Sequence, residues 1–283
     1  MPLAVREEVS CEQRKIGATL KAPSMPDFRA LLPAEFQLEI EVMETVHLAV
    51  SSAYQAAVLC RDWSSTSGHS GQHQGDLVAD EAALKILNDH GFGVYSEESG
   101  VTRSDADLVA VVDPVDGSAN VARGIPFWCS SVAVVDEKGP ILSCLIGAPD
   151  ATTYWAVRGG GAYRNEERLV AKPSKPLAES VVFLNGFPSR HLGWMQYRAL
   201  GSAALELCLI ASGGGDAFID VSPRGLALWD YLGALVLLDE LGFVVGDWLG
   251  RELYNIGFTE RRHIVATKDQ VVYDAIVSNV KGM

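Results

Sequence analysis

Residues 110–120 read AVVDPVDGSAN, and this stretch limits the possible folds more than any other part of the chain. An apolar run ends on Asp113, and a second carboxylate follows at Asp116 after a proline. A buried strand that ends on two acidic side chains predicts either a turn that caps a helix or a metal site. Pro114 restricts the backbone, so Asp113 and Asp116 can reach the same side. Taken alone, the stretch leaves both interpretations open.

Apolar patterns of strand and helix type alternate along the chain, which predicts an α/β fold. The interruption KPSKP at residues 172–176 suggests a boundary between two lobes. We therefore expect an N-terminal extension (1–34), a metal-binding α+β lobe (35–175) and a C-terminal α/β lobe (176–283). Within them, we expect a surface loop at 64–75, a helix that begins at Asp80, and helical structure after the strand at 181–185.

Composition and charge exclude several classes of protein. The 283 residues carry a net charge of −13, which disfavours binding to nucleic acid. No apolar run is long enough to span a bilayer, and the N-terminus lacks the apolar segment of a signal peptide, so we expect a cytoplasmic protein. The five cysteines are scattered without a C-x-x-C pair, which indicates neither a zinc site nor a disulfide framework.

Further acidic residues stand where strands end and helices begin. Glu97 and Glu98 follow a predicted strand, and Asp230 opens a predicted helix. With Asp113 and Asp116 they form a set of oxygen ligands without His or Cys, which fits Mg²⁺ or Mn²⁺ better than zinc. Bound cations would also reverse the local negative charge, so that a phosphate substrate could bind to this acidic chain.

The string DPVDGSAN resembles the signature D-P-[ILV]-D-G-[ST]-x-N of the inositol monophosphatase superfamily, the lithium-sensitive, Mg²⁺-dependent sugar phosphatases. Three more segments are similar to family motifs in the expected order: SEES at 96–99, GSAALELCLIASGGGDAFID at 201–220 and WDYLGALVLLDELG at 229–242. The resemblance implies a layered αβαβα sandwich. It also implies hydrolysis of inositol monophosphate, or of a related sugar or polyol phosphate, by metal-activated water.

The resemblance further implies a role for each matching residue. Glu97, Asp113 and the Val115 carbonyl, with Ser118 nearby, would hold a first Mg²⁺. A second ion would lie between Asp113, Asp116 and Asp230, and the family implies two or three ions in total. Such ions neutralise charge on the attacking and departing oxygens.

The remaining implied roles concern catalysis and substrate binding. Asp80 would pair with the Ser118 hydroxyl and help to orient the attacking water. The backbone amides of Gly117 and Ser118 would bind the phosphate. The other substrate contacts would be Gly201, Ser202 and Asp220. Family members commonly form homodimers, so we expect one here.

The chain departs from the family pattern at 69–76 and at 231–234, where YLGA replaces A-A-G, and the first departure keeps alternatives open. The family usually carries a Lys before its D-L-V-T segment, whereas HSGQHQGD at 69–76 has none and offers Gln72 or His73 instead. The spacing from Asp220 to Trp229 resembles the archaeal-type inositol/fructose-bisphosphate phosphatases. Alternative substrates are therefore fructose 1,6-bisphosphate or a 3′-phosphoadenosine nucleotide, although Asn120 argues against the latter. A catalytically silent binding protein is the third alternative.

Overall fold

Two β-sheets alternate with three layers of helices, and the αβαβα expectation is confirmed. A computed structural model describes residues 21–68, 71–254 and 257–282. Within them the helices are α1 Phe28–Leu31, α2 Gln37–Leu59, α3 Gln74–Asp89, α4 Ser118–Val121, α5 Ala203–Ala211, α6 Leu228–Glu240 and α7 Gln270–Lys281. The strands are β1 Gly93–Ser96, β2 Gly100–Thr102, β3 Val109–Asp116, β4 Cys129–Asp136, β5 Gly139–Gly147, β6 Thr152–Val157, β7 Gly161–Arg164, β8 Glu167–Arg168, β9 Val181–Asn185, β10 Gln196–Arg198, β11 Ala217–Asp220, β12 Val244–Asp247 and β13 Ile264–Thr267.

The larger sheet has eight strands in the order β2-β1-β3-β4-β5-β6-β7-β8. Only β1 and β3 pair in parallel within it, and the later strands follow one another as antiparallel hairpins. Helices α2 and α3 cover one face of this sheet and share an apolar core with it. Each of these two helices is buried on one side only, as expected for an outer layer.

Helices α5 and α6 form the middle layer and are apolar almost all round. Ten residues of α6, including Leu232 and Leu235, are buried, because one sheet lies on each side of the helix. Gly233 allows α6 to approach the larger sheet closely, since a Cβ there would lie 2.3 Å from the Ser131 hydroxyl. This layer connects the two sheets through one continuous core.

The smaller sheet has five strands in the order β10-β9-β11-β13-β12. Its outer face is covered by α7, which buries Val272, Ile276 and Val280 and exposes its other side. Among the described residues, no helix has the length and apolar character needed to cross a membrane. All strands of the larger sheet precede residue 175, and all strands of the smaller sheet follow it. The division of the chain into two lobes at this point remains a prediction.

Two sequence-based expectations were wrong. Helix α3 begins at Gln74 and not at Asp80, because the backbone N–H of His73 donates to the Asp76 carboxylate (2.8 Å) and caps the helix there. The segment after β9 is not helical: Gly193, with φ +102°, interrupts it, and strand β10 follows. Strand β12 was not anticipated. The expected extension at 1–34 lies outside the described residues up to position 20, and α1 occupies part of the rest.

Candidate active site

The parallel pairing of β1 and β3 brings the first two acidic groups together. Ser96 lies opposite Val112 in the register, so the next residues along the two strands are Glu97 and Asp113. The backbone N–H of Glu97 donates to the Val112 carbonyl (3.2 Å) and continues the pairing. Carboxyl ends of parallel strands share one edge of the sheet, which places both carboxylates at the same crevice.

A β-bulge accounts for the spacing of Asp113 and Asp116. Asp113 lies opposite Ser131 and Asp116 opposite Cys129, so β3 has one more residue than β4 between these pairs. In a regular strand, residues three apart point to opposite faces, and one extra residue restores them to the same face. Pro114 is tolerated here because a bulged residue needs no ladder donor. The strand therefore continues through both carboxylates, and the proline marks the bulge.

Two helix N-termini hold the carboxylates of Asp116 and Asp230. Oδ2 of Asp116 accepts hydrogen bonds from the Ser202 hydroxyl (2.6 Å) and the Ala204 amide (2.7 Å) at the start of α5. Oδ2 of Asp230 accepts from the Ala227 amide (2.7 Å) at the start of α6. These bonds fix the positions of the carboxylates, and each uses only one of the two oxygens.

The four carboxylates perturb one another electrostatically. Exclusion of water raises the pKa of Asp113 and of Glu97 well above the usual range, and the mutual repulsion of the carboxylates raises both further. Burial also raises the pKa of Asp116 to about 6, although the hydrogen bonds from Ser202 and Ala204 oppose the shift. For Asp230, burial and then the Asp116 charge raise the pKa to about 7. Asp113 is 1% exposed, whereas the other three retain some exposure, so the cluster opens to solvent.

Sequence reasoning missed Asp76, which belongs to this cluster. Asp76 is 3% exposed, its charge raises the pKa of both Glu97 and Asp113, and its Oδ1 has no hydrogen-bond partner among the described residues. Burial raises its own pKa to about 6. Asp76 opens the DLVAD segment four residues before Asp80, so the sequence contained two candidates one helical turn apart.

The segment without the family Lys is buried against the same acids. The Gln72 amide donates to the Glu98 carboxylate, and the Nδ1 atom of His73 lies 3.5 Å from Oδ2 of Asp76. Both Gln72 and His73 are buried, so this end of the expected surface loop is part of the site. His69 lies outside the described residues.

The structure does not join Asp80 to Ser118. The Asp80 carboxylate accepts hydrogen bonds from the hydroxyls of Ser96 and Ser99, and it is 2% exposed. Ser118 begins the short helix α4 and remains half-buried beside Gly117. The expected pairing is therefore not made in this conformation.

The expected phosphate-binding turn packs against the loop that precedes α5. Gly117 has φ +97°, and a Cβ on it would lie 3.1 Å from the Gly201 carbonyl and 3.2 Å from Cβ of Ser202. The Asn120 amide donates to the carbonyls of Phe127 and Leu200, both at 2.7 Å. Gly117, Gly201 and Ser202 are thus brought together next to Asp116.

Asp220 ends strand β11 and is fully buried. Its Oδ1 accepts from the Asn185 amide (3.1 Å) and the Ser222 backbone (2.8 Å), and its Oδ2 lies 3.2 Å from Nδ1 of His263. Burial raises its pKa, and the bonds to Ser222 oppose the shift. Both oxygens of Asp220 therefore have neighbouring protein groups.

The residues of the cluster fit divalent cations by their chemistry. Buried carboxylates that repel one another, and the unpartnered Oδ1 of Asp76, are features that a hard cation would satisfy. Within the stretches that the structure describes, no three His, Cys, Asp or Glu side chains already have a geometry that could hold an ion. Binding would therefore draw the carboxylates closer together.

Comparisons with known proteins identify the family of this chain. The profile of the inositol monophosphatase family matches residues 40–281. A fructose-1,6-bisphosphatase/inositol-1-monophosphatase of Thermococcus kodakarensis is 32% identical over 211 residues, which cover 73% of this chain and 81% of that protein. A solved Pyrococcus horikoshii protein, described as having similarities to inositol-1 monophosphatase, superposes with a TM-score of 0.73 at 25% identity over 86% of this chain and 98% of that one. The chain belongs to the inositol monophosphatase family.

Proposed function

We propose that this phosphatase hydrolyses inositol monophosphate, or a related sugar or polyol monoester, with Mg²⁺ as its cofactor. The observation that carries the proposal is the convergence of Glu97, Asp113, Asp116 and Asp230 from three different elements. No structural role requires four carboxylates to repel one another in a partly buried crevice. A bound cation would neutralise the repulsion between these carboxylates.

Glu97, Asp113 and the Val115 carbonyl would hold one ion, and Asp113, Asp116 and Asp230 a second. Bound Mg²⁺ supplies positive charge that offsets the charge developing on the attacking and leaving oxygens. Mn²⁺ would satisfy the same oxygen ligands. Asp113, which borders the bulge, is the ligand shared by both ions in this assignment.

The protein's own groups would position the substrate and move the proton. The amides of Gly117 and Ser118 would receive the phosphate, and the nearby Gly201–Ser202 loop would complete that pocket. The Ser118 hydroxyl and either Asp76 or Asp80 would orient the attacking water, and that carboxylate would accept its proton. Asp76 has an unpartnered oxygen at the cluster, whereas Asp80 is committed to Ser96 and Ser99, so we favour Asp76.

The test is phosphate release from a panel of esters with and without Mg²⁺. The panel contains inositol 1-phosphate, fructose 1,6-bisphosphate and 3′-phosphoadenosine 5′-phosphate. We expect Asp113→Asn to lower kcat by about 100-fold or more, since loss of a metal-site group costs of this order. The control is Asp136→Asn, which removes a surface carboxylate paired with Arg158. Absence of Mg²⁺-dependent release from every ester would favour the silent binding protein instead.

A homodimer in the cytoplasm remains our expectation for the assembled protein. Sedimentation equilibrium of the full chain decides the oligomeric state, with a mass of twice 30.4 kDa expected. A monomer across the micromolar range would contradict the homodimer.

A further inference from the structure

One buried carboxyl group lies outside the acidic cluster. Glu206 is the only charged residue of helix α5, an otherwise apolar helix, and it is 1% exposed. Side chains of a helix tilt toward its N-terminus, so Glu206 reaches back past the first turn. Its Oε1 accepts a hydrogen bond from the backbone N–H of Leu200 (2.6 Å), in the loop that precedes the helix. A carboxyl group is costly to bury in an apolar layer, which draws attention to the loop that it holds.

The surroundings of Glu206 favour an uncharged side chain. Burial first, and then the charge of Asp116, raise its pKa to about 8, although the backbone amides of Leu200 and Gly201 oppose the shift. The site therefore tolerates a neutral side chain of the same shape, provided that the side chain keeps an oxygen that accepts a hydrogen bond.

The backbone that Glu206 holds touches the turn at Gly117. The Leu200 carbonyl accepts a hydrogen bond from the Asn120 amide (2.7 Å). The backbone N–H of Asn120 donates in turn to the Gly117 carbonyl (2.8 Å). A Cβ on Gly201 would lie 3.3 Å from Nδ2 of Asn120, so the loop and the turn are also in close contact there. An unbroken series of contacts thus joins Glu206 to the turn.

We propose that Glu206 is a positioning residue, whose carboxyl group fixes the Leu200–Gly201 backbone so that the Gly117–Ser118 turn can receive a phosphate. The inference rests on the proposed function, in which this turn and this loop form the phosphate pocket. Glu206 touches no reacting atom in this assignment and acts only through the loop.

The carboxylate of Asp116, next to the same loop, has hydrogen bonds of its own from Ser202 and Ala204. Loss of the Glu206 acceptor should therefore weaken the binding of phosphate and leave the rate of the chemical step nearly unchanged. A residue with a purely structural role would instead lower stability without a selective effect on phosphate binding.

The test measures kcat and KM for the best ester of the panel and Ki for inorganic phosphate, all with Mg²⁺. We expect Glu206→Leu, which leaves the Leu200 N–H without its acceptor, to raise KM and Ki about 10-fold and to change kcat by less than about threefold. Glu206→Gln keeps an acceptor oxygen and should stay within about threefold of wild type in all three constants.

A double-mutant cycle with Asn120→Ala examines the connection through Leu200. The double variant should raise Ki by less than the product of the two single effects, because both substitutions release the same backbone. Glu206→Asp, whose shorter side chain withdraws the acceptor, replaces Glu206→Leu if the latter does not fold.

Glu240→Leu is the matched control. The Glu240 carboxylate also accepts hydrogen bonds from backbone amides, those of Gly159 (2.7 Å) and Gly161 (2.9 Å). It lies at the C-terminal end of α6, whereas Asp230 lies at the start of that helix. The control should lower Tm and leave KM and Ki unchanged.

Unchanged KM and Ki in folded Glu206→Leu, or equal effects of Glu206→Leu and Glu206→Gln, would overturn the positioning role. A fall in kcat alone would overturn it as well. If the wild-type protein hydrolyses no ester, the proposed function fails. Calorimetric titration with inorganic phosphate then tests Glu206 by itself, through a Kd that Glu206→Leu should raise and Glu206→Gln should not.

Discussion

Asp76 and Asp80 show how one helical turn separates two chemical roles. Both are buried on α3, but Asp80 receives two serine hydroxyls, whereas Asp76 faces Glu97 and Asp113. Oδ1 of Asp76 has no hydrogen-bond partner among the described residues, and a buried carboxylate oxygen in that state is costly and typical of a functional site.

Substitution of these two residues separates the alternatives. We expect Asp76→Asn to lower kcat by about 100-fold with little effect on KM, as for a lost general base. Asp80→Asn should lower kcat by less than about tenfold, because its amide still accepts from one serine. Steady-state phosphate release measures both. The reverse order of effects would identify Asp80 as the residue that orients the water.

His47 predicts an acid-sensitive stability far from the site. It is buried on α2 against Phe28, and burial lowers its pKa to about 4. The folded state therefore favours the neutral ring relative to the unfolded chain, whose His pKa is about 6.5. Stability present above pH 6.5 should decline as the pH falls toward 4, by at most about 3 kcal/mol.

Urea unfolding of wild type and His47→Leu across this pH range tests the prediction. The variant should lose less stability on acidification than wild type. His90→Gln is the control, since His90 is exposed at the C-terminal end of the neighbouring helix α3. Parallel pH profiles for wild type and His47→Leu would show that His47 does not cause the acid sensitivity.

At the scale of elements, the site depends on the turn between β3 and α4. Gly117 combines a left-handed backbone with close approach to the Gly201 and Phe127 carbonyls. A side chain there would be strained and would also press the turn away from the loop that orients Asp116. The same glycine therefore supports both the fold of the turn and the position of the carboxylate.

We expect Gly117→Ala to lower the free energy of unfolding by about 2–3 kcal/mol and to reduce activity more than tenfold. Gly124→Ala is the matched control: its φ is +72°, but a Cβ there meets nothing within 4 Å. The control should lose only about 1 kcal/mol and remain active. Denaturant unfolding and phosphate release measure the pair, and equal effects of the two substitutions would refute the role of the close contact.

At the scale of the whole molecule, the proposed metal ions and protons would compete for one set of carboxylates. Without metal, the pKa values of Asp116 (about 6) and Asp230 (about 7) are raised above those of the unfolded chain. The protonated forms are favoured in the fold, so these groups destabilise the metal-free protein increasingly as the pH rises from 4 through 7.

Mg²⁺ should reverse this trend. At 100 times its Kd, a ligand specific to the folded state stabilises it by about 2.7 kcal/mol. We expect Mg²⁺ to raise Tm more at pH 8 than at pH 5, and EDTA to remove the increase. Differential scanning calorimetry, with Asp113→Asn as the control that lacks the shared ligand, checks this. An equal Mg²⁺ effect at both pH values would contradict binding at these carboxylates.

The family, the layered fold and most of the acidic residues follow from the sequence alone, because local patterns carry them. Alternating apolar segments predict the strands and helices. The carboxylates of DPVDGSAN, SEES and WDYLG stand at the ends of these elements, which the local pattern marks. The glycine at 213 likewise ends α5 in a left-handed conformation, as an apolar helix followed by GGG predicts.

Only the tertiary structure revealed the bulge and the role of Asp76 in the cluster, because each depends on contacts between distant segments. The bulge exists in the pairing of β3 with β4, and neither strand contains it by itself. Asp76 differs from Asp80 in its neighbours. Asp80 meets the hydroxyls of Ser96 and Ser99, whereas Asp76 lies near Glu97 and Asp113.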